Sequence, residues 1–282
     1  MRVGKTFSLL PASCLHWPLG EKDLIQRWVD EIRSDPNAYT ILLGDSFDMA
    51  RTHYRNHIRS YRDDDNSQEA LDDFARQEVA ALAKVLTPIK GRIWGVLAGN
   101  HMWEFLDGTN SEQYLCQLLK LPYLGALGLI RVTCEWDANR RMGYNLTIFA
   151  HHNGGSTGAR TTGGDVAGIV RQEPAWDADI YLTGHTHRKL LIRETVLGIT
   201  PKGTPRVLER NRIFARCGSF LKSFKEDYPS ATQAHRPSYA EKRALRPADL
   251  GWVRINVRWR ENNWGGGKRI PRHVYPEYEL VT

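Results

Sequence analysis

Cysteine is scarce in this chain and never paired. Cys14, Cys116, Cys134 and Cys217 lie far apart, with no CxxC spacing. That excludes a disulfide framework and a zinc ribbon, and it suits a reducing, cytoplasmic setting. Long apolar runs are missing too. Nothing approaches the ~18–20 consecutive apolar residues of a membrane span. The first residues show neither an apolar leader nor a small-residue cleavage site. No membrane partner is expected, and the sequon at Asn145 reads as chance. There is no internal repeat and no clean linker, so residues 1–282 read as one domain. A P-loop is also absent. The Gly-rich stretch 154–164 lacks GxxxxGK[ST], and Gly4-Lys5-Thr6 precedes a strand instead of following one.

What is present is ordinary globular material, 41% hydrophobic and 25% charged. The net charge of +7 favours a polyanionic partner, either nucleic acid or a phosphate-bearing substrate. Five segments repeat one plan, in which a short apolar, β-prone run ends in a polar cluster. Residues 7–12 lead to Cys14-Leu15-His16, and 39–43 to Gly44-Asp45-Ser46-Phe47-Asp48. Residues 93–98 lead to Gly99-Asn100-His101, 146–150 to His151-His152-Asn153-Gly154, and 180–183 to Gly184-His185-Thr186-His187. Wholly apolar runs of this length predict strands buried on both faces. Open α/β sheets bind ligands just beyond the carboxyl ends of such strands.

Between these runs, Leu24, Ile25, Trp28, Val29 and Ile32 mark a helix that should stop near Asp35-Pro36, and 68–86 marks a second. Strand and helix in alternation predict an α/β fold. Residues 51–67, dense in Arg, His and Asp, read as a charged helical insertion. Further strands are expected at 189–196, 212–217 and 252–260. In the last, Val253, Ile255, Val257 and Trp259 alternate with Arg254, Asn256, Arg258 and Arg260. Otherwise the C-terminal extension near 226–282 reads as irregular, being rich in Gly, Pro and aromatics after Asn262.

Six of the ten histidines fall in the polar clusters, beside Cys14, Asp45, Asp48 and Asn100. Imidazole, carboxylate and carboxamide oxygen together suit manganese, iron or zinc. One histidine at a strand end is usually structural, but five strand ends carrying such residues are hard to explain that way. In this order, the five blocks resemble the signature of the calcineurin-like metallophosphoesterases, over roughly residues 7–190. The resemblance implies an αββα sandwich of two mixed β-sheets flanked by helices. It also implies a binuclear centre of two divalent metal ions, manganese, iron or zinc. Asp45 would bridge the ions. His16, His187 and position 14 would complete one site, and Asn100, His185 and one of His151 and His152 the other. A hydroxide bridging the ions would attack phosphorus in line. His101 would act as general acid toward the leaving oxygen, and Asp48 would fix the tautomer of His101. Pattern does not settle the histidine pair: His151 comes first after the strand and is preferred, while His152 has the better spacing to the turn. The tail, Arg216-Cys217-Gly218-Ser219-Phe220 and Tyr239-Ala240-Glu241-Lys242 with Leu250-Gly251, resembles phage and prophage members.

The chain departs from the signature at two places. Its first residue is normally Asp and here is Cys14. A thiolate ligand there would shift metal preference toward zinc or iron. The alternatives are a weakened site or a cysteine that binds nothing. The residue after His101 is usually acidic and here is Met102, with Glu104 two positions on. Arg160, in the Gly-rich loop, is a candidate phosphate contact or a solvated loop charge. His53 and His57, among Arg51, Arg55, Arg59 and Arg62, form a basic cap over the pocket or a solvated face. The Arg254, Arg258 and Arg260 ladder reads either as a nucleic-acid contact or as an edge strand blunted by charge. The expected function is hydrolysis of a phosphoester, with a phosphodiester in a nucleic acid or nucleotide ahead of a monoester. The rivals are a nucleic-acid-binding protein with a decayed metal centre and a hydrolase of non-phosphate esters.

Overall fold

A computed structural model describes residues 2–4, 6–49, 65–135, 143–152, 162–170, 176–199, 205, 207–224, 239–242, 245–262 and 273–281. In chain order the elements are β1 (Arg2–Val3), β2 (Thr6–Leu9), α1 (Lys22–Ser34), β3 (Ala38–Leu42), α2 (Asp65–Leu86), a 3-10 helix (Thr87–Arg92), β4 (Ile93–Leu97), α3 (Ser111–Leu119), β5 (Tyr123–Gly125), β6 (Leu127–Glu135), β7 (Gly143–His151), α4 (Thr162–Val170), β8 (Ile180–Thr183), β9 (Lys189–Ile199), β10 (Val207–Cys217), α5 (Tyr239–Lys242), β11 (Arg254–Asn262) and β12 (His273–Val281).

The strands form two six-stranded sheets, β1-β6-β7-β8-β10-β9 and β12-β11-β2-β3-β4-β5. Both are mixed. In the first, β7, β8 and β10 run parallel, β9 is antiparallel to β10 and β6 to β7, and β1 is parallel to β6. In the second, β2, β3, β4 and β5 are parallel and the β11–β12 pair is antiparallel. The sheets face each other across an apolar core that includes Leu9, Ile41, Leu97, Ile148, Leu182, Ala215 and Ile255. The outer face of the second sheet packs on α1, α2 and α3 through Leu10, Leu42, Trp28, Leu82 and Leu115. The outer face of the first meets α4 through Phe149, Tyr181, Phe214 and Ile169. The protein is therefore an α/β fold of two mixed sheets with flanking helices. Every predicted strand that ends in a polar cluster is present, and burial on both faces explains why each reads as an unbroken apolar run.

Helix α1 buries one stripe, Ile25, Trp28, Val29 and Ile32. It ends where Pro36 forces Asp35 into an extended conformation. Arg92 donates to the carbonyl of Ile32 at 2.8 Å, satisfying a group that the helix end leaves open. Helix α3 opens on a capping box formed by Asn110 and Gln113. Helix α2 takes in the predicted second helix; residues 51–64 of the charged insertion lie outside the described residues.

Two expectations about the chain end need correction. Residues 273–281 are not irregular but form β12, antiparallel to β11. Pro276 hides this strand in the sequence, yet proline is tolerated on an edge strand, and β12 is the edge. In consequence β11 is not an edge, and two of its basic residues pair within the fold, while the Arg260 side chain lies outside the described residues. Arg254 pairs with Glu31 at 3.0 Å and with Asp35 at 2.7 Å, and Arg258 with Glu279 at 3.2 Å. Among the described residues no helix is long and apolar enough to cross a membrane.

Candidate metal centre

The polar clusters after β2, β3 and β4 of one sheet meet those after β7 and β8 of the other at the carboxyl ends of the strands. Backbone bonds fasten the loops together. Cys14 N–H donates to the Gly44 carbonyl at 3.1 Å, His16 N–H to that of Asp45 at 3.0 Å, and Gly184 N–H to that of His152 at 3.2 Å. Cys14, His16, Asp45, His185 and His187 all have positive φ, between 49° and 69°. Among the described non-glycine residues only Lys120, the C-cap of α3, shares that conformation. Each such residue costs roughly 1–2 kcal/mol, so the surrounding structure holds this backbone against its preference. Glycines make the close approach possible. A Cβ at Gly99 would lie 2.1 Å from the amide nitrogen and Oδ1 of Asp45.

Asp45 is buried at the middle of the cluster. Its Oδ1 accepts the His101 N–H at 2.8 Å, and its Oδ2 lies 3.0 Å from His152 Nε2. His152 Nε2 is also 3.0 Å from Asn100 Oδ1, while its Nδ1 is 2.6 Å from the carbonyl of Leu43. A backbone carbonyl can only accept, so Nδ1 carries a proton. In the neutral ring the Nε2 lone pair then faces two acceptor oxygens, an arrangement that calls for a cation between them. Burial works to lower the His152 pKa, but the hydrogen bond and charge of Asp45 raise it.

The second focus has the same character. His16 Nε2 and His187 Nε2 are 3.1 Å apart. Burial, aided by the neighbouring His16, pushes His187 down to about 3, so it offers a neutral ring. His16 Nδ1 and Asp45 Oδ2 are buried without a hydrogen-bond partner among the described residues. Buried polar atoms of this kind, an imidazole nitrogen and a carboxylate oxygen, fit a divalent cation. The ligand atoms of Cys14, His16 and His187 lie within 4.8 Å of one another, as do those of Cys14, Asp45 and His152, and those of His16, Asp48 and His101. Cys14 therefore belongs to both foci. Its thiol is fully buried, 3.1 Å from Ser13 Oγ; burial and the Asp45 charge push its pKa up.

Asp48 Oδ2 is 3.1 Å from His101 Nδ1 and 3.5 Å from His16 Nδ1. Burial would raise the pKa of both Asp45 and Asp48. Their histidine partners outweigh it and hold both carboxyls below the usual range. The His185 ring packs edge-on against His152, with centroids 5.3 Å apart.

The structure thus brings together Cys14, His16, Asp45, Asp48, Asn100, His101, His152, His185 and His187. His151 stands apart: its half-buried ring packs beside Phe149, centroids 6.3 Å apart, and it is His152, against the sequence preference, that reaches Asp45 and Asn100. Arg160, His53 and His57 lie outside the described residues. Glu104 is exposed. Sequence reasoning missed Glu112, which is fully buried in the first turn of α3. Its Oε2 accepts from Ser111 Oγ at 2.6 Å, and burial, reinforced by the Asp45 charge, pushes it up to about 7. Its only sequence signal is its place just after a helix cap, where acidic residues are common on the surface.

No protein-family model matches the chain. No curated protein matches it either. Similar solved structures include a conserved uncharacterized protein (predicted phosphoesterase) from Streptococcus pneumoniae TIGR4, 10% identical, with 98% of each chain covered and a TM-score of 0.36. Vps29 from Chaetomium thermophilum is 11% identical, with 99% of this chain and 98% of that one covered and a TM-score of 0.35. Wild-type Vps29 from Entamoeba histolytica, complexed with zinc, is 12% identical, with 97% and 99% covered and a TM-score of 0.37. At these identities and TM-scores the likenesses carry no functional argument.

Proposed function

We propose that this protein is a metal-dependent phosphoesterase whose substrate is a phosphodiester in a nucleic acid or nucleotide. One observation supports this above the rest. His152 Nε2 lies 3.0 Å from both Asp45 Oδ2 and Asn100 Oδ1 while its Nδ1 meets the Leu43 carbonyl, so that a neutral His152 turns its Nε2 lone pair toward two oxygens, a donor set that suits a bound cation. Cys14, His16 and His187 with Asp45 would hold one ion, and Asp45, Asn100 and His152 with His185 another. Divalent ions, when bound, would supply Lewis acidity, lowering the pKa of water and drawing charge from phosphate oxygens. The residues of the chain do the rest. Asp48 engages His101 Nδ1 at 3.1 Å, which leaves Nε2 as the nitrogen that exchanges a proton with the leaving oxygen. The net charge of +7 favours a polyanionic substrate.

The test is hydrolysis of bis-p-nitrophenyl phosphate by metal-stripped protein given manganese, iron, zinc or magnesium in turn. Metal-dependent turnover that disappears in Asp45→Asn is the expected result. The position of Cys14, where the signature has Asp, favours a second reading: a nucleic-acid-binding protein whose metal centre has decayed. Folded protein that binds nucleic acid yet turns over neither this substrate nor oligonucleotides with any of the four metals would shift the assignment to it.

A further inference from the structure

Arg216 on β10 is fully buried, and nothing proposed above uses its charge. A buried guanidinium is costly unless its donors are taken up. Nη1 donates to Thr186 Oγ1 at 2.7 Å and Nη2 to the Asp165 carbonyl at 3.1 Å, with Asp165 Oδ1 at 3.8 Å from Nη1. Arg216 sits opposite Thr183, the last residue of β8, in the parallel register. Its side chain therefore extends from beside that strand end to the turn that follows it. Thr186 stands between His185 and His187, at φ 69° and 57°. Asp165 lies in the first turn of α4.

Two left-handed residues separated by only one other give this turn reason to relax toward ordinary backbone. Within the turn, Thr186 N–H donates to the Gly184 carbonyl at 2.8 Å. On its far side Asp249 N–H donates to the His187 carbonyl at 2.8 Å, and Asp249 Oδ2 accepts from Lys189 N–H at 2.9 Å. The Thr186 hydroxyl is what Arg216 grips between these two anchors. Resting on the metal-centre reading, we propose that Arg216 is a positioning residue. Through Thr186 Oγ1 it holds the turn so that His185 and His187 each face the ion they would hold, and it ties that turn to α4. The planar fork suits this task because two donors point in fixed directions; a lysine would place one charge and fix neither.

The test uses the whole metal-stripped protein and cobalt(II) as the probe, followed by visible absorption, with melting in EDTA as the control for folding. Thr186→Val removes the acceptor at nearly constant shape, and Thr186→Ser restores it. Thr186→Val should weaken cobalt binding by about 10–100-fold, the range typical of groups that orient ligands. It should also change the cobalt spectrum, while Thr186→Ser stays close to the parent on both. Arg216→Lys should follow Thr186→Val. Parent-like affinity and spectrum in Thr186→Val would overturn the proposal. Should Thr186→Val not fold, Arg216→Lys decides alone on the same two readouts. Failure of the parent protein to take up cobalt would be seen before any variant is made, and would remove the metal-centre reading and this inference with it.

Discussion

At the scale of single residues, the alternation of a strand decides between two neighbouring histidines. Leu146, Ile148 and Ala150 face the core between the sheets, and His152 continues that series. His151 shares the outer face with Phe149. His152→Ala should therefore lower metal-dependent turnover by about 100-fold, at the upper end of what loss of a metal-site group produces. His151→Ala should stay within about threefold of the parent, as expected for a residue away from the ligands. Equal losses in the two variants would refute the assignment. Glu112 yields a pH dependence. With its pKa raised to about 7, folded protein keeps a proton that the unfolded chain loses near 4.5. Stability in the metal-free protein accordingly falls as pH rises through that window, and the penalty is complete above about pH 7, amounting to about 3 kcal/mol at most. Glu112→Gln keeps the shape and the acceptor for Ser111 but removes the charge. Thermal melts in EDTA should show the variant more stable at pH 8 and level with the parent at pH 4. A gap that ignores pH would mean that burial of the charge is not the cause.

At the scale of elements, α3 supports the loop that carries His101. Ser111 Oγ accepts from Trp103 N–H at 3.0 Å, and Ser111 N–H donates to the Trp103 carbonyl at 2.9 Å. Asn110 caps this helix and also donates to Tyr123 OH at 3.1 Å. Asn110→Ala should cost about 1–2 kcal/mol, read from the denaturant midpoint. The strands that bear the site were legible in the sequence because burial on both faces leaves no polar residue to interrupt Ile93–Leu97 or Ile180–Thr183. Outside the repeated plan, the strands at 189–196, 212–217 and 252–260 and the two long helices were legible as well, but other elements were not. The sequence reading passed over α3, and it passed over β6, which alternates buried Ile130 and Val132 with exposed Leu129 and Arg131 and ends in no polar cluster of the repeated kind. Pro276 concealed β12. The parity that selects His152 was blurred because Phe149, on the other face, is as buried as Ile148. The left-handed backbone at Cys14, His16 and Asp45 had no signal at all, since none of these residue types marks that conformation as glycine does.

At the scale of the whole molecule, the candidate ligands divide between the sheets. Cys14, His16, Asp45 and Asn100 follow strands of one sheet, while His152, His185 and His187 follow strands of the other. An ion held by both sets binds the folded state alone. At a free concentration of 100 Kd it should add about 3 kcal/mol of stability. Addition of the preferred metal should raise Tm, EDTA should reverse the rise, and Asp45→Asn should show little of it. A parent Tm indifferent to every metal would contradict the arrangement. The same division bears on how the sandwich breathes. Loops that carry a site normally open first and exchange their amide protons fastest. With an ion clasping the two sheets, the amides of Cys14, His16 and Gly184, all bonded across these loops, would be among the last to exchange. Occupancy would turn the softest end of the protein into its stiffest.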